Sequence, residues 1–197
     1  MKLYLLRHGR TKWNQEQRYQ GQTDLPLSDE GRAELVEADF CPDTLWVSPM
    51  LRARETARAI FPRSRQILVP DLIEMNFGTF EGRNYRDMEH DPDYRAWVAD
   101  GCTGRCPGGE DFEGFARRIK AAFLPLLENA LEEGREELVI LSHGGVQLAL
   151  MEAYALPERD HFSWVGPCAG GYVLTTELWK SRRKLQLVDT VQYTAGD

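Results

Sequence analysis

Short apolar runs alternate with longer amphipathic segments along most of this chain. Six of these runs predict β-strands, at Leu3–Leu6, Leu45–Val47, Gln66–Pro70, Glu137–Ser142, Gly171–Leu178 and Lys184–Val191. The basic stretch Ser181–Lys184 predicts the turn that joins the last two strands.

The segments between the strands carry apolar residues at helical spacing. They predict four helices, from Ser28 to about Phe40, at Leu51–Phe61, at about Asp111–Glu133 and at about Val146–Ala155. Ser28 is a suitable N-cap because acidic residues follow it in the first turn. Pro125 lies inside the third helix and should kink or split it.

Residues 71–110 interrupt the alternation with an aromatic-rich stretch that ends in the loop DGCTGRCPGGED. We expect this segment to be an excursion over one face of the domain, partly helical at Asn84–His90 and Tyr94–Ala99. Elsewhere the alternation of strands and helices predicts an α/β fold with helices on both faces of the sheet. The fold class is therefore a three-layer α/β/α sandwich, with a mostly parallel sheet of about six strands in a single domain over residues 1–197.

The composition narrows the classes of function. The net charge of -7 argues against a nucleic-acid partner, although a few arginines in a cleft can still attract a small anion. No apolar run approaches the ~20 residues of a membrane-spanning helix. Met1 leads directly into the first predicted strand, without the features of a signal peptide, so we expect a cytoplasmic protein with no membrane partner. A homodimer is left open.

The four cysteines are most simply free thiols, as is usual for a cytosolic chain. They are Cys41, Cys102, Cys106 and Cys168. Cys102 and Cys106 are spaced as C-x3-C, but further sulfur or imidazole ligands are not adjacent in the sequence. We therefore expect neither a metal nor another cofactor.

Two predicted strands end in a histidine followed by glycine, at His8 and His143. If these strands are neighbours, the two imidazoles face each other at the carboxyl edge of the sheet, where ligands of α/β proteins bind. Arg7 and the amides after His143 would then bind a tetrahedral oxyanion, and one histidine could attack phosphorus. Arg52, at another strand end, can point into the same pocket.

A phosphoryl transfer of this kind also needs an acid that protonates the leaving group. Glu74 and Glu81 are the candidates, since both lie near aromatic residues of the excursion that can desolvate a carboxyl group.

These motifs together resemble the histidine phosphatase superfamily, the phosphoglycerate-mutase-like enzymes. The elements occur in order as Arg7-His8-Gly9 with Thr11 and Asn14, Ser48-Pro49-Met50-Leu51-Arg52, Glu74 before Phe77-Gly78, and Ser142-His143-Gly144. A single tripeptide is weak, whereas the ordered set covers nearly the whole chain. Arg10 departs from the family pattern, in which many relatives carry Glu or Gln.

The resemblance implies a role for each matched position. His8 becomes phosphorylated, Arg7, Arg52 and His143 hold the phosphoryl oxygens, and Glu74 donates and then accepts a proton. Further substrate or phosphate contacts are implied at Thr11, Asn14, Gln20, Gly21 and Gly144. The excursion at 71–110 would lie over this site, and no metal is required.

The stretches LIEMNFGTFEG, YRAWVADG and GGEDFEGFARR look like α-ribazole-5'-phosphate phosphatases of cobalamin biosynthesis. A small phosphomonoester with an aromatic base is therefore the expected substrate, and Tyr85, Tyr94 or Trp97 could stack on it. Tyr94 and Trp97 could instead be packing residues. A broad-specificity sugar or nucleotide phosphatase, a phosphoglycerate mutase and a non-catalytic binding module remain alternatives.

Overall fold

The computed structural model describes residues 1–195. Seven strands form one sheet: β1 (Lys2–Arg7), β2 (Thr44–Val47), β3 (Arg65–Leu68), β4 (Glu137–Ser142), β5 (Ala155–Leu156), β6 (Gly170–Thr175) and β7 (Leu185–Gln192). Their order across the sheet is β3-β2-β4-β1-β6-β7-β5. Neighbours are parallel except for the pairs that β6 makes with β1 and β7. The predicted α/β class with a mostly parallel sheet is confirmed, with seven strands in place of about six.

The helices are α1 (Lys12–Gln15), α2 (Asp29–Ala33), α3 (Leu51–Ile60), α4 (Pro92–Ala99), α5 (Phe112–Glu132), α6 (Gly144–Tyr154) and α7 (Trp179–Arg182). Apolar residues pack on both faces of the sheet. Leu5 of β1 contributes to a core with Phe123 of α5, whereas Leu6 contributes to a second core with Ala57 of α3. The alternation along β1 thus supplies side chains to two helix layers.

The predicted helix from Ser28 to Phe40 is wrong beyond its first turns. Ser28 does cap α2 by accepting a hydrogen bond from the Gly31 amide, but the helix ends at Ala33. Beyond it the backbone pairs with distant segments, and the amides of Val36 and Ala38 donate to carbonyls of Tyr193 and Ile60. Long-range pairing therefore replaces helical hydrogen bonds in this segment.

Pro125 does not split α5, which runs unbroken from Phe112 to Glu132. Proline removes the amide that would bond the carbonyl of Ala121. Both Ala121 and Pro125 are exposed, so water can satisfy that carbonyl. Exposure explains why the break expected from the sequence is absent.

The excursion contains α4 but not the helix expected at Asn84–His90, where the chain forms successive turns. The side-chain oxygen of Asn84 accepts hydrogen bonds from the amides of Arg86 and Asp87 and so holds the turn. Three further differences lie near the C-terminus. The helix predicted to Ala155 ends one residue earlier at β5, β6 ends at Thr175, and α7 is part of the connection to β7. Within residues 1–195, no helix has the length and apolarity required to cross a membrane.

Candidate active site

His8 directly follows β1 at the carboxyl edge of the sheet, and its side chain is buried. Its Nδ1 lies 2.6 Å from the Gly9 carbonyl oxygen, which can only accept a hydrogen bond. The ring proton of a neutral His8 therefore resides on Nδ1, and Nε2 keeps its lone pair. That Nε2 faces the Arg52 guanidinium, whose Nε donates to it at 3.3 Å.

His143 follows β4, which is the parallel neighbour of β1. The two imidazoles meet edge to face with ring centroids 5.2 Å apart, so the predicted juxtaposition of His8 and His143 is present. The Nε2 of His143 lies 2.7 Å from the hydroxyl of Ser48, which follows β2. Three adjacent parallel strands thus end in site residues.

The two arginines are held by backbone carbonyls. Arg7 donates from Nη1 to Gly166 at 2.7 Å, and Arg52 donates from Nη2 to Gly21 at 2.7 Å and from Nη1 to Thr23 at 3.0 Å. Arg52 is fully buried, and this burial lowers the pKa of its guanidinium to about 10, still well above neutrality. Both side chains therefore supply fixed positive charge to the site.

Glu74 is buried, and its carboxylate accepts hydrogen bonds from two amides. Oε1 accepts from Met75 and Oε2 from Gly145, both at 2.9 Å. Burial raises the pKa of Glu74, while the two amides and the nearby charges of Arg52 and Arg7 oppose that rise. The group is placed to exchange a proton with a bound molecule.

Glu81, the alternative acid, is committed to holding the backbone. Its carboxylate accepts from the amides of Gln22 and Thr23 at 2.8 Å each. It does not line the cavity that contains Glu74. The structure therefore favours Glu74 over Glu81 as the proton donor.

The remaining predicted contacts divide into two groups. Asn14, Gln20 and Gly144 line the cavity. Thr11 is fully buried behind them, where its hydroxyl accepts from the Asn14 amide at 3.3 Å and donates to the side-chain Oε1 of Gln20. Gly21 contributes the carbonyl that holds Arg52, so Thr11 and Gly21 support the wall and are not part of it.

A cavity of about 320 Å³ opens between these groups and the excursion. Its polar lining comprises Arg7, His8, Asn14, Arg18, Gln20, Glu74 and the Gly144–Gly145 turn. The rest of the lining is mostly apolar and aromatic, and it comprises Tyr19, Met75, Phe77, Trp97, Cys102, Phe112, Phe115, Leu148, His161, Phe162 and Val165. The space therefore suits a molecule with an anionic end and a flat apolar body.

Within residues 1–195, four buried side-chain nitrogen or oxygen atoms have no hydrogen-bond partner. They are Nε of Arg7, Nε2 of Gln20, Nδ1 of His143 and Oε1 of Gln147. The first three belong to residues of the candidate site, and unsatisfied buried donors are costly without a partner. Three such atoms in one site are available to hydrogen-bond a polar ligand.

Burial is the largest cause of the pKa shifts of the two histidines. It lowers the pKa of both His8 and His143 well below 6.5, and the positive charges of Arg52 and Arg7 lower it further. Both imidazoles are therefore neutral near pH 7 in the free protein, which is the state a nucleophilic histidine requires.

All four cysteines are free thiols. Cys102 lines the cavity, whereas Cys106 is buried in the core. The described part of the chain has no cluster of three or more histidine, cysteine, aspartate or glutamate side chains placed to hold a metal. Arg10 lies outside the cavity lining and forms a salt bridge with Glu34.

Sequence reasoning missed several residues of the site. Ser48 was matched only as the first residue of the motif that ends in Arg52 and was given no role, yet its hydroxyl contacts His143. Phe112, His161 and Phe162 form one side of the cavity mouth, and in the sequence nothing distinguishes them from packing residues. Of the aromatics expected to stack on a substrate, Trp97 lines the cavity, Tyr94 packs in the core and Tyr85 lies on the surface.

A sequence model of the histidine phosphatase superfamily (branch 1) matches residues 3–186. The adenosylcobalamin/alpha-ribazole phosphatase of Salmonella typhimurium is 35% identical over 167 residues, which cover 79% of this chain and 80% of that protein. The probable phosphoglycerate mutase GpmB of Escherichia fergusonii is 33% identical over 153 residues, which cover 73% of this chain and 70% of that protein. The solved alpha-ribazole phosphatase from Shigella flexneri superposes with a TM-score of 0.79 over 100% of this chain and 99% of its own, and its 24% identity makes this a likeness of fold alone.

Proposed function

Because the chain belongs to the histidine phosphatase superfamily, we propose that it hydrolyses phosphomonoesters through a phosphohistidine on His8. The observation that carries this proposal is the fixed orientation of the His8 ring. Its Nδ1 donates to the Gly9 carbonyl, and its Nε2 lone pair faces the guanidinium of Arg52. A neutral imidazole held this way has its nucleophilic atom aimed at the place where the site concentrates positive charge.

In the first step, the Nε2 lone pair of His8 attacks phosphorus and the ester P–O bond breaks. The electron pair of that bond passes to the leaving oxygen, which takes the proton of the Glu74 carboxylic acid. Arg7, Arg52 and His143 stabilise the negative charge on the transferring phosphoryl group. Asn14, Gln20 and the Gly144 amide complete the contacts, with Thr11 and Gly21 holding them from behind.

In the second step, the Glu74 carboxylate removes a proton from water as its oxygen attacks phosphorus. The P–N bond breaks, its electron pair returns to Nε2 of His8, and inorganic phosphate leaves. Each group returns to its starting protonation state, so the cycle needs no further reactant.

The proposed chemistry is independent of metal ions. The buried guanidinium of Arg52, the partly buried guanidinium of Arg7 and the amides at the start of α6 supply the positive charge that a metal provides in other phosphoryl transferases. Activity in the presence of EDTA tests this point, and loss of turnover that Mg²⁺ or Zn²⁺ restores would contradict it.

For the substrate we favour α-ribazole 5'-phosphate, which would place the reaction in cobalamin biosynthesis. The likeness to the Salmonella typhimurium enzyme supports this choice, and so does the shape of the cavity. The phosphoryl site lies at one end, and Trp97, Phe112 and Phe162 line the rest. An aromatic base can stack on these rings while the phosphate occupies the polar end. Residues 71–110, which supply Trp97, would act as the cover of the site in this single-domain protein.

A mutase is the second candidate, because the GpmB relative covers most of the same residues. The two activities differ in what accepts the phosphoryl group of His8. Water gives inorganic phosphate, whereas a mutase returns the group to a sugar acid.

The decisive experiment measures phosphate release from α-ribazole 5'-phosphate, 3-phosphoglycerate, nucleotides, fructose bisphosphate and p-nitrophenyl phosphate. We expect the highest kcat/KM for α-ribazole 5'-phosphate. Equal low rates across the panel would retain the phosphatase and remove the substrate assignment. Isomerisation of 3-phosphoglycerate without phosphate release would establish the mutase, and no turnover of any compound would favour a binding module.

The covalent step has its own test. Rapid acid-free quenching with radiolabelled substrate should trap a phosphoenzyme that is stable in base and labile in acid, as expected for phosphohistidine. The variant His8→Asn keeps a polar side chain of similar size near the backbone but lacks the nucleophilic Nε2. No phosphoenzyme should be trapped with it. Labelling of His8→Asn at the level of the unchanged protein would overturn the role of His8.

A cytoplasmic location and a homodimer complete the proposal. Four free thiols suit a reducing compartment. The edge strand β3 exposes Ile67 and Leu68, which a second copy could cover. Sedimentation analysis of the unchanged protein and of Leu68→Glu tests the dimer, since a dimer formed through this edge should dissociate in the variant.

A further inference from the structure

Ser48 makes a short side-chain hydrogen bond with His143, although Ser48 does not line the cavity and so is not placed to react with a bound molecule. Its Oγ lies 2.7 Å from Nε2 of His143, and both residues are fully buried. The contact is fixed by the sheet, because Ser48 follows β2 and His143 follows β4, its parallel neighbour. The Ser48 amide also donates to the Leu141 carbonyl at 3.0 Å.

We propose that Ser48 is a positioning residue that donates its hydroxyl proton to Nε2 of His143 and thereby fixes the imidazole proton on Nδ1. The inference rests on the proposed function, in which His143 must donate a hydrogen bond to a phosphoryl oxygen. A neutral imidazole has one N–H group, so the ring can donate from Nδ1 only if Nε2 accepts.

The hydrogen bonds around Ser48 support this direction. The Met50 amide approaches Oγ at 3.5 Å as a donor, so it cannot accept the hydroxyl proton. Among residues 1–195, the acceptor within reach of that proton is Nε2 of His143. The opposite arrangement, with the proton on Nε2, would leave the hydroxyl proton of a fully buried serine without an acceptor.

The other side of the ring agrees with this assignment. Nδ1 of His143 is buried and has no partner within the described chain, as expected for a donor that waits for a ligand. The positive charges of Arg52 and Arg7 act on this ring, and a phosphoryl oxygen bound between these groups would be an acceptor. Ser48 therefore acts on the substrate through His143, without touching it.

The direct test is the tautomer of His143 in the ligand-free protein. Long-range proton–nitrogen correlation spectra of protein with ¹⁵N-labelled histidine distinguish the protonated ring nitrogen from the bare one, and a His143→Asn spectrum assigns the signals. We expect Nδ1 to be protonated and Nε2 bare. A proton on Nε2 in the unchanged protein would overturn the proposal without any variant.

Ser48→Ala removes the hydroxyl and should shift His143 toward a mixture of tautomers or the Nε2–H form. With p-nitrophenyl phosphate, kcat should fall about tenfold, the scale of one hydrogen bond, with a smaller change in KM. Ser48→Thr keeps a hydroxyl and should restore the Nδ1–H signal. An unchanged tautomer in Ser48→Ala would overturn the proposal.

Ser142→Ala is the matched control. Ser142 is also fully buried and lies at the end of β4, but its hydroxyl donates to the Leu72 carbonyl at 2.9 Å. Ser142→Ala should lower the melting temperature by about as much as Ser48→Ala does, while leaving the His143 tautomer unchanged. Because the spectra need no turnover, they also separate this inference from the proposed function. Absence of phosphatase activity would contradict the function, whereas the tautomer decides the role of Ser48.

Discussion

The carboxylate of Glu74 and the amide of Gly145 are joined by a hydrogen bond of 2.9 Å at the wall of the cavity. Glu74 comes from the segment after β3, and Gly145 lies in the first turn of α6. The contact is close because residue 145 has no side chain. A Cβ there would lie 2.2 Å from Oε1 of Glu74, so any larger residue forces the carboxylate to move.

We therefore expect Gly145→Ala to lower kcat by about tenfold to a hundredfold, the cost of displacing a reacting group by about 1 Å. The fold should survive, since a helical position accepts alanine readily. Steady-state kinetics with an alkyl phosphate, together with thermal unfolding, measure both effects.

A double-mutant cycle controls for effects that do not pass through Glu74. In a Glu74→Ala background the carboxylate is gone, and Gly145→Ala should reduce the residual rate little further. Losses that multiply in the double variant would show that Gly145→Ala damages another part of the site.

Glu74→Gln tests the proton donor itself. The amide keeps the shape of the carboxyl group but cannot deliver its proton, so alkyl phosphates should slow by about 10²–10⁴-fold. p-Nitrophenyl phosphate should lose much less in its first step, because its leaving group needs little protonation. The rate of phosphoenzyme formation isolates this first step from the hydrolysis that Glu74 also assists, and equal losses of that rate for both substrates would assign the proton to another group.

The pH profile provides a second readout of Glu74. Burial raises its pKa, so the acid form persists above the usual range of a carboxyl group and is lost as the pH rises. The alkaline decline of kcat with alkyl phosphates should disappear in Glu74→Gln. If the same decline persisted in that variant, it would arise from a group other than Glu74.

The sequence was sufficient to predict the reacting end of the site. His8 and His143 each follow a short apolar run that predicts a buried strand. The parallel pairing of β1 and β4 then brings the two histidines together. Arg52 and Glu74 were predicted as site residues from the order of the motifs along the chain. The contact between Ser48 and His143 was not predicted, because only the register of β2 against β4 reveals that the Ser48 hydroxyl meets an imidazole.

Two of the errors in the predicted fold share a cause. Local pattern favours a helix after Ser28, but pairing with residues more than a hundred positions away ends it at Ala33. The same holds at Ala155, where the short strand β5 forms because β7 offers it a partner. Such pairings are decided by the assembled sheet, and residue spacing within a segment does not record them.

The stability of the protein should fall on acidification below pH 6.5. Burial, followed by the charge of Arg52, lowers the pKa of His8 and His143 well below the 6.5 of an unfolded histidine. Below 6.5 the unfolded chain binds more protons at these positions than the folded protein does. Each site therefore removes about 1.4 kcal/mol of the free energy of unfolding per pH unit, once its unfolded form is protonated.

Urea unfolding at several pH values between 7 and 5 measures this slope in the unchanged protein and in His8→Asn/His143→Asn. The double variant should have the flatter dependence. Glu74 works in the opposite direction, because its raised pKa makes the folded state bind the extra proton, and it is the same in both proteins. An equal slope in the double variant would mean that the two site histidines are not held neutral.

Phe162 should contribute to substrate selection at the cavity mouth. Its ring is 59% exposed although it lines the cavity, and it stacks edge to face on His161 with centroids 4.7 Å apart. A flat base bound there would cover apolar surface that now faces water. Phe162→Ala should lower kcat/KM for α-ribazole 5'-phosphate by about tenfold, which corresponds to the loss of one aromatic contact. The kcat/KM for glycerol phosphate should change little.

Tyr85→Ala is the control, since Tyr85 is 49% exposed but lies outside the cavity, and this variant should leave kcat/KM for both substrates unchanged. Equal losses for the two substrates in Phe162→Ala would show that the ring supports the fold of the mouth and does not select the base.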